Sequence, residues 1–402
     1  HNICAVGDID QNIYSWRGAE LKNILAFETD YPDTLVITLE ENYRSTKNIL
    51  EAANAIIEKN KVRRKKNLFT GNDSGEKIVV SGSLDETGEA QFIAETAAEL
   101  IKGGVSPDEI AVLYRANFQS RVLEEAFMHK GVPYQLLGTR FFERREVKEI
   151  LSYLRAALEP ESLADMKRII NVPARGIGKT TLVKIFGGDF ESLPPAMKLK
   201  FANFKSLLAE ISDVAREKRP SETVAFIIKQ SGLEEDWKKE GEEGEARLEN
   251  AYELVSFASR YDHQEPEEGL LQFLTDAALQ SDQDELKEEQ KSVRLMTVHS
   301  SKGLEFDIVF ISGLELGLFP HEKVSSDNLT PEEKEEERRL FYVAITRARK
   351  KIYLSYAQLR TIFGRQQVNM PSEFISDIPQ HLVEADSWSA PTGRRSLLDI
   401  DF

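Results

Sequence analysis

The feature that most constrains the fold is a strand–helix alternation that is broken once by a long helical stretch. Apolar runs rich in β-branched residues mark strands at 77–83, 109–115, 292–298, 306–314 and 350–357, and a helical pattern fills 88–104. Such alternation is typical of a parallel sheet with helices on both faces. The sequence therefore predicts an α/β fold with one parallel sheet.

The interruption of this pattern extends from 144 to 287. In "RREVKEILSYLRAAL", Val147, Ile150, Leu151 and Leu154 fall on one helical face, and comparable periodicity continues with almost no strand signal. We therefore expect a large all-helical insertion in the α/β domain.

Boundaries follow from these changes of pattern. The first residues predict a buried strand at 3–6, a helix at 21–28, a strand at 34–40 and a helix at 45–59 that Ser45 caps. Because a strand begins almost at the first residue, we expect 1–36 to be the C-terminal remnant of a preceding domain. The expected domain then has its first part at 37–143, the helical insertion at 144–287, its second part at 288–385 and a polar tail at 386–402.

Composition excludes several classes of protein. The chain has no apolar run of about 18 residues, which disfavours a membrane span, and its single cysteine, Cys4, excludes a disulfide framework. We expect a cytoplasmic protein with no metal site of its own. The net charge of −16 is a weak argument against nucleic acid, because the local field decides binding. Acidic runs at 234–249, 282–291 and 331–339 and a basic run at 59–67 are each expected to be solvated faces.

The stretch "VPARGIGKTTL" (172–182) poses a choice between two phosphate sites. A nucleotide phosphate loop needs glycine five positions before Gly178, and Pro173 stands there. The pattern instead predicts a helix, a Gly-Ile-Gly hairpin and a second helix. Arg175, Gly176, Gly178 and Lys179 can hold a DNA phosphate there, and a plain packing corner is an equally good interpretation.

Four longer motifs occur in one order along the chain. They are "VGDIDQNIYSWRGA" (6–19), "LEENYRST" (39–46), "VRLMTVHSSKGLEFDIVFISGLELGLFP" (293–320) and "EEERRLFYVAITRARKKIYLSYA" (335–357). Together they resemble the later motifs of superfamily 1 DNA helicases of the UvrD/Rep/PcrA type, and the resemblance extends to about residue 380. It implies a RecA-like sheet domain with a helical insertion, preceded by a remnant of a first RecA-like domain, in a 3′ to 5′ DNA helicase of repair or replication.

The resemblance assigns a nucleotide site. Arg44 and Arg347 match the arginine fingers that stabilise transition-state charge on ATP, although by themselves they would be surface arginines. Gln11 would report the γ-phosphate to the DNA-binding residues. The matching tyrosine stacks on adenine, so Tyr43 is assigned there, and Glu305 binds the ribose beside a tight turn at Gly303.

A second set of residues is predicted to bind DNA. Bases stack on aromatic rings without regard to sequence. Tyr14 and Trp16 stand in a polar loop and are predicted to stack on bases, with Arg17 to bind a phosphate. The alternative is that this loop is a hinge packed between lobes. Further backbone contacts are expected from the second lobe and from the insertion. They are Thr297, His299, Lys302, Phe142 and Arg144. For Phe142, the alternative interpretation is a residue of the apolar core.

The resemblance also implies cofactors and partners. It predicts ATP and Mg²⁺, with the phosphate-loop lysine and the Mg²⁺ ligands upstream of this sequence, so the chain alone is expected to be inactive. The expected partners are single-stranded DNA, a duplex junction and repair or replication proteins, with no membrane. Two alternatives remain: a non-catalytic DNA- or partner-binding module, and the motor part of a helicase–nuclease, although the last 80 residues show no nuclease-like cluster.

Overall fold

The computed structural model describes residues 3–15, 21–64, 66–281, 291–322, 329–362 and 364–385. It divides into two compact units. The α/β unit comprises His1–Gly138, Leu286–Arg360 and Val368–Phe402, and the helical unit comprises Thr139–Glu285 and Thr361–Gln367. The predicted tail at 386–402 and most of the acidic run at 282–291 lie outside the described residues.

The α/β unit is built on a parallel sheet. Its strands are β1 (Ile78–Asp85), β2 (Ile110–Tyr114), β3 (Tyr134–Leu136), β4 (Val293–Thr297), β5 (Phe306–Ile311), β6 (Ala348–Ile362), β7 (Arg365–Val368) and β8 (Val383–Ala385). The order is β3-β4-β2-β5-β6-β1-β8, with β7 paired to β6. Every pairing along that order is parallel. The predicted parallel α/β fold is confirmed.

Helices cover both faces of this sheet and make up the other unit. They are α1 (Leu21–Asp30), α2 (Lys47–Ile57), α3 (Glu86–Lys102), α4 (Ser120–His129), α5 (Arg145–Leu158), α6 (Leu163–Ile169), α7 (Lys179–Phe186), α8 (Pro195–Glu217), α9 (Pro220–Gln230), α10 (Leu233–Trp237), α11 (Glu242–Ala258), α12 (Pro266–Ser281), α13 (Pro331–Ile345) and α14 (Glu373–Ser376). None of the helices in the described part of the chain is long and apolar enough to cross a membrane.

Two apolar cores sandwich the sheet. On one side α2 and α13 contribute residues such as Ile56 and Phe341, and on the other side α3 and α4 contribute Ile93 and Phe127. All four side chains are fully buried. Burial of apolar area on both faces is the main stabilisation of such a layered fold, and it explains why the strands have continuous apolar runs.

The ends of α3 and α13 follow from local sequence. The Asp85 carboxylate accepts a hydrogen bond from the amide of Gly88 at 2.8 Å, which caps α3. Thr330 and Glu333 form a reciprocal capping box before α13, with Pro331 at its first position. These signals fix where α13 begins, and α13 carries much of the site described below.

Two predicted strands do not form. Residues 3–6 and 34–40 are irregular and largely exposed; Leu35 and Ile37 are 82% and 74% exposed. A strand needs a neighbour along its length to satisfy its backbone groups. The described residues provide no paired strand for either segment, and only the carbonyl of Glu40 accepts from a neighbouring stretch, at 3.0 Å from the amide of Phe69. The predicted cap of α2 is also wrong. The N-cap is Thr46, while the Ser45 hydroxyl donates to the carbonyl of Ala348 at 2.7 Å.

The helical unit has a core of its own. Helices α5, α8, α9, α11 and α12 bury a single cluster of side chains that includes Tyr153, Phe204, Ile227, Phe257 and Phe273. Between 139 and 281 the structure shows helices and no strand. The predicted all-helical character of this stretch is confirmed.

Candidate nucleotide and DNA sites

Arg44 lies in the turn that leads into α2, and its side chain contacts Glu305, another predicted nucleotide residue. The side-chain oxygen of Asn42 accepts from the amides of Arg44 and Ser45, each at 2.9 Å, which fixes the turn. Arg44 Nε then donates to Glu305 Oε2 at 2.6 Å, and its Nη1 donates to the carbonyl of Thr346 at 3.2 Å. The hydrogen bond from Arg44 lowers the pKa of Glu305.

Arg347 follows directly after the C-terminal end of α13 and is 2% exposed. Its guanidinium donates to the carbonyls of Val343 and Leu304 at 3.0 and 3.1 Å and to the hydroxyl of Thr346 at 3.2 Å. Burial, with help from the charge of Arg44, lowers its pKa to about 10, so it stays protonated at neutral pH. The structure thus brings two arginines and one carboxylate together.

Tyr43 and Gly303 flank this charged group along the chain. The Tyr43 side chain is 77% exposed, and its hydroxyl donates to the carboxylate of Glu41 at 2.6 Å. That hydrogen bond raises the pKa of Tyr43. Gly303 has a φ of +91°, in the left-handed region that favours glycine. The turn at Gly303 separates Lys302 from Glu305.

Four of the predicted DNA-coupling residues are in contact with one another. Lys302 Nζ donates to the carbonyl of Gln11 at 3.0 Å and lies 4.9 Å from the centroid of the Tyr14 ring. The Tyr14 hydroxyl donates to the carbonyl of His299 at 3.0 Å. Burial lowers the pKa of Lys302, and the Gln11 amide donates to Asp8 at 2.7 Å. The aromatic ring of Tyr14 and the ammonium of Lys302 therefore lie side by side.

The structure gives fewer contacts for the other predicted DNA-binding residues of this part of the chain. The Thr297 and Ser300 hydroxyls are 2.9 Å apart at the end of β4. Trp16 and Arg17 lie outside the described residues. Among the described residues, no group of three or more His, Cys, Asp and Glu side chains could hold a metal ion.

The basic run at 59–67 and the acidic run at 331–339 were expected to be solvated, and both expectations are wrong in part. Arg63 and Lys66 pair with the buried Asp10 at 3.1 and 3.3 Å. Burial raises the pKa of Asp10, although both cations oppose it. On α13, Glu337 and Arg339 are buried. Sequence reasoning missed these residues because their partners are distant in the chain.

Helix α13 also holds the segment that carries Tyr14. Arg339 Nε donates to the carbonyl of Asn12 at 3.1 Å, and Glu336 accepts from the amide of Ser15 at 3.3 Å. The same helix ends next to Arg347.

The predicted DNA residues of the helical unit differ in exposure. Phe142 is 4% exposed, and its ring packs edge-on against Phe141 and Phe257 at 5.0 and 5.3 Å. This is the core position that the sequence left open as an alternative. Arg144 is half-buried at the N-cap of α5.

The Gly-Ile-Gly hairpin joins α6 to α7. Gly176 has a φ of +67°, and a Cβ on Gly178 would meet no atom within 4 Å. The Arg175 guanidinium points back into the helical unit: Nη1 donates to the carbonyl of Val172 at 3.0 Å, and Nη2 donates to the Tyr153 hydroxyl at 2.6 Å. The backbone of Lys179 begins α7, and its side chain lies outside the described atoms.

Comparison with known proteins gives two family matches. The model of the UvrD-like helicase C-terminal domain matches residues 37–193 and 195–359. The model of the UvrD/REP helicase N-terminal domain matches residues 1–32.

Two curated relatives agree with these matches. The ATP-dependent DNA helicase PcrA of Staphylococcus epidermidis is 42% identical over 405 residues, covering 96% of this chain and 55% of that protein. PcrA of Staphylococcus aureus is 42% identical over 407 residues, with the same coverage of 96% and 55%. The chain thus spans about half the length of the curated relatives it matches. A crystal structure of the C-terminal domain of a possible DNA helicase from Lactobacillus plantarum is 11% identical, with a TM-score of 0.34, covering 86% of this chain and 98% of that one.

Proposed function

The chain belongs to the UvrD-like helicase family, and from that premise we propose that it is the part of an ATP-driven DNA motor that contacts the γ-phosphate and a single DNA strand. One observation carries the proposal. The short segment from Lys302 to Glu305 contacts Gln11 and Tyr14 at one end and Arg44 at the other. A change at the nucleotide can therefore reach the Tyr14 ring through a segment of four residues.

In this proposal Arg44 exchanges its partner when ATP binds. Its guanidinium now donates to Glu305, and phosphate oxygens accept from a guanidinium fork at least as well as a carboxylate does. When Arg44 turns to the γ-phosphate, Glu305 is released to accept from a ribose hydroxyl. The exposed ring of Tyr43 offers a stacking face for adenine.

Arg347 acts from a buried position. Its three hydrogen bonds to protein acceptors fix the guanidinium before the nucleotide arrives, so little reorganisation is needed when charge develops on the transferred phosphoryl group. Arg44 and Arg347 then stabilise that charge from two sides, which is the arginine-finger role.

Gln11 and Lys302 connect the nucleotide to the DNA. Lys302 holds the backbone of Gln11 and covers the Tyr14 ring, so a shift of the turn at Gly303 moves both. Bases of the strand stack on Tyr14 and Trp16, while Arg17, Thr297 and His299 supply backbone contacts. Arg144 of the helical unit adds a second contact to the strand, and duplex DNA contacts the Gly-Ile-Gly hairpin.

The proposal also concerns the groups that hold the β-phosphate and Mg²⁺. Residues 1–402 contain no glycine–lysine phosphate-loop pattern with the required spacing, and the described residues offer no carboxylate cluster for Mg²⁺. We infer that other residues hold the β-phosphate and Mg²⁺ and that residues 1–402 alone hydrolyse no ATP. A cytoplasmic location, 3′ to 5′ movement and a role in repair or replication are further parts of the proposal, and they rest on the family.

The test compares this chain with a completed motor, made by joining it to the N-terminal region of the S. epidermidis PcrA. We expect no DNA-stimulated phosphate release from residues 1–402 and clear release from the completed motor. Arg44→Ala or Arg347→Ala in that motor should lower kcat by about 10³-fold, with the affinity for oligo(dT) within a few fold, because arginine fingers act on the transition state.

Two results would contradict this proposal. One is phosphate release by residues 1–402 above a blank without enzyme. The other is an arginine variant that loses its affinity for oligo(dT) and keeps its hydrolysis. The exposed Lys350, which pairs with Asp307 at 2.7 Å, provides the matched control. Lys350→Ala should leave both measurements unchanged.

A further inference from the structure

The sequence suggested that Arg175 faces a DNA phosphate, and the structure gives its guanidinium another set of partners. Nη1 donates to the carbonyls of Ile169, Ile170 and Pro173 at 3.2, 3.4 and 3.2 Å, in addition to Val172. Nη2 donates to the carbonyl of Ser231 at 3.1 Å. These carbonyls include the C-terminal ends of α6 and α9, where a cation is favoured. Arg175 therefore holds the base of the hairpin.

Aromatic packing encloses the same guanidinium. It lies 5.2 Å from the centroid of the Phe204 ring and 5.8 Å from that of Tyr153. Burial raises the pKa of Tyr153 to about 12 despite the nearby Arg175, so the tyrosine remains a neutral hydrogen-bond partner. The four N–H groups of Nη1 and Nη2 thus face six protein acceptors and have no capacity left for a phosphate. Arg347 differs, because its five N–H groups have three protein acceptors.

The hairpin above Arg175 has a fixed shape. The side-chain oxygen of Asn171 accepts from the amides of Arg175 and Ile177 at 2.8 and 3.2 Å, and the Ile177 side chain is buried. The left-handed residue Gly176 lies between these two amides. The backbone at Gly176 and Gly178 is thereby presented at the surface of the helical unit.

A different cation stands next to this backbone. The ammonium of Lys200, from α8, lies 2.7 Å from the position that a Cβ on residue 176 would occupy. Lys200 lines a cavity of about 560 Å³ together with Asn203, Gln230 and Arg175. Glu210 also lines this cavity, yet among the described residues no carboxylate forms an ion pair with Lys200.

We propose that Lys200 is the cation of a DNA backbone-phosphate site at the hairpin, and that Arg175 is a positioning residue which fixes the hairpin beside it. The proposal rests on the proposed function and adds to it a residue from α8. Gly176 lets a phosphate approach the backbone because a side chain there would occupy the space next to the ammonium. Asn203 and Gln230 offer amide donors to the neighbouring oxygens.

The experiment measures the affinity of residues 1–402 for two fluorescent probes, a duplex with a 3′ single-stranded tail and oligo(dT), at several salt concentrations. Lys200→Gln should weaken duplex binding by about threefold or more at low salt and reduce the salt slope by about one, because one phosphate contact releases one counterion fewer. Lys205→Gln is the matched control. Lys205 lies on the same helix, and its ammonium faces the Phe201 ring at 5.4 Å, so its removal should leave the slope unchanged.

The melting temperature tests whether Arg175 supports the hairpin or contacts the phosphate itself. Arg175→Gln should lower the melting temperature of the helical unit and weaken duplex binding, whereas Lys200→Gln should leave the melting temperature unchanged. The assignment is overturned if Lys200→Gln keeps the wild-type slope, or if Arg175→Gln reduces the slope with no change in melting temperature. Wild-type chain that binds the tailed duplex no more tightly than oligo(dT) would overturn this inference alone, and chain that binds neither probe would overturn the proposed function as well.

Discussion

At the residue scale, the pairing of Arg44 with Glu305 is the central contact of the proposed nucleotide site. Each of the two side chains is the other's nearest charged partner, at 2.6 Å, and both are assigned to the same nucleotide. The ion pair keeps both side chains in place. Because it is partly solvated, it contributes little free energy, so its partners can be exchanged. A buried pair would resist that exchange.

Buried charges of the α/β unit behave differently, and Glu337 on α13 is the clearest case. Arg115 donates to it through Nε at 2.9 Å and through Nη2 at 2.7 Å. Burial alone would raise the pKa of Glu337, but the charge and hydrogen bonds of Arg115 hold it below its ordinary value. The pair therefore favours the ionised carboxylate in the folded state.

We predict that Glu337→Gln lowers the free energy of unfolding of the α/β unit by about 1–3 kcal/mol at pH 7. A lowered folded-state pKa gives stability that is complete above the unfolded value, about 4.5, and is lost as pH falls through the folded value. The difference between the variant and the wild type should therefore shrink at pH 4. Urea unfolding at both pH values measures it, and an equal or larger difference at pH 4 would contradict this account.

At the element scale, α13 connects the two groups of site residues. Its C-terminal end leads into Arg347, while Arg339 and Glu336 hold the backbone of Asn12 and Ser15. A rigid helix transmits a displacement at one end to contacts along its length. Under the proposed function, we therefore expect the helix to couple Arg347 to the segment that carries Tyr14.

This coupling predicts the effect of Arg339→Gln. Loss of the hydrogen bond to Asn12 should free the Tyr14 segment and weaken oligo(dT) binding about three- to tenfold, which is part of the stacking free energy of one base. Lys334→Gln on the same helix removes only the exposed pair with Glu373, at 2.9 Å, and should bind as the wild type does. Equal affinities of the two variants, by fluorescence anisotropy, would refute the role of α13.

Periodicity predicted most elements, and distant partners explain the exceptions. Strands β1, β2, β4, β5 and β6 were anticipated because their apolar runs follow from burial on both faces. The short strands β3 and β8 were missed, since three residues carry no recognisable period. Segments 3–6 and 34–40 have strand-like sequences, but a strand forms only where a neighbour pairs with it.

The candidate sites were predictable to a similar degree. Residue identities such as Arg44 and Glu305 came from motifs, and the structure brings them into contact. Arg63 and Arg339 were missed because charged runs usually face solvent, and only the fold brings them to Asp10 and Asn12. Arg175 was assigned outward from its charge, whereas its direction depends on carbonyls of two segments, 169–173 and Ser231, and on the Tyr153 hydroxyl.

At the scale of the whole molecule, the α/β unit holds the contacts proposed for both nucleotide and single strand, and the helical unit holds the hairpin proposed for duplex DNA. Residues 1–32, which include Tyr14, match the model of an N-terminal helicase domain. In this structure they belong to the α/β unit. Single-strand binding should therefore be measurable with residues 1–402 and should not require hydrolysis.

The affinity of residues 1–402 for labelled oligo(dT), measured by fluorescence anisotropy, tests this most directly. Tyr14→Ala should weaken binding by about tenfold, because one stacked base contributes about 1–3 kcal/mol, while Tyr14→Phe keeps the ring and should bind within about twofold of the wild type. Arg44→Ala should also stay within about twofold, since Arg44 serves the nucleotide. Absence of binding by the wild type, or an equal loss in Tyr14→Ala and Arg44→Ala, would contradict the account.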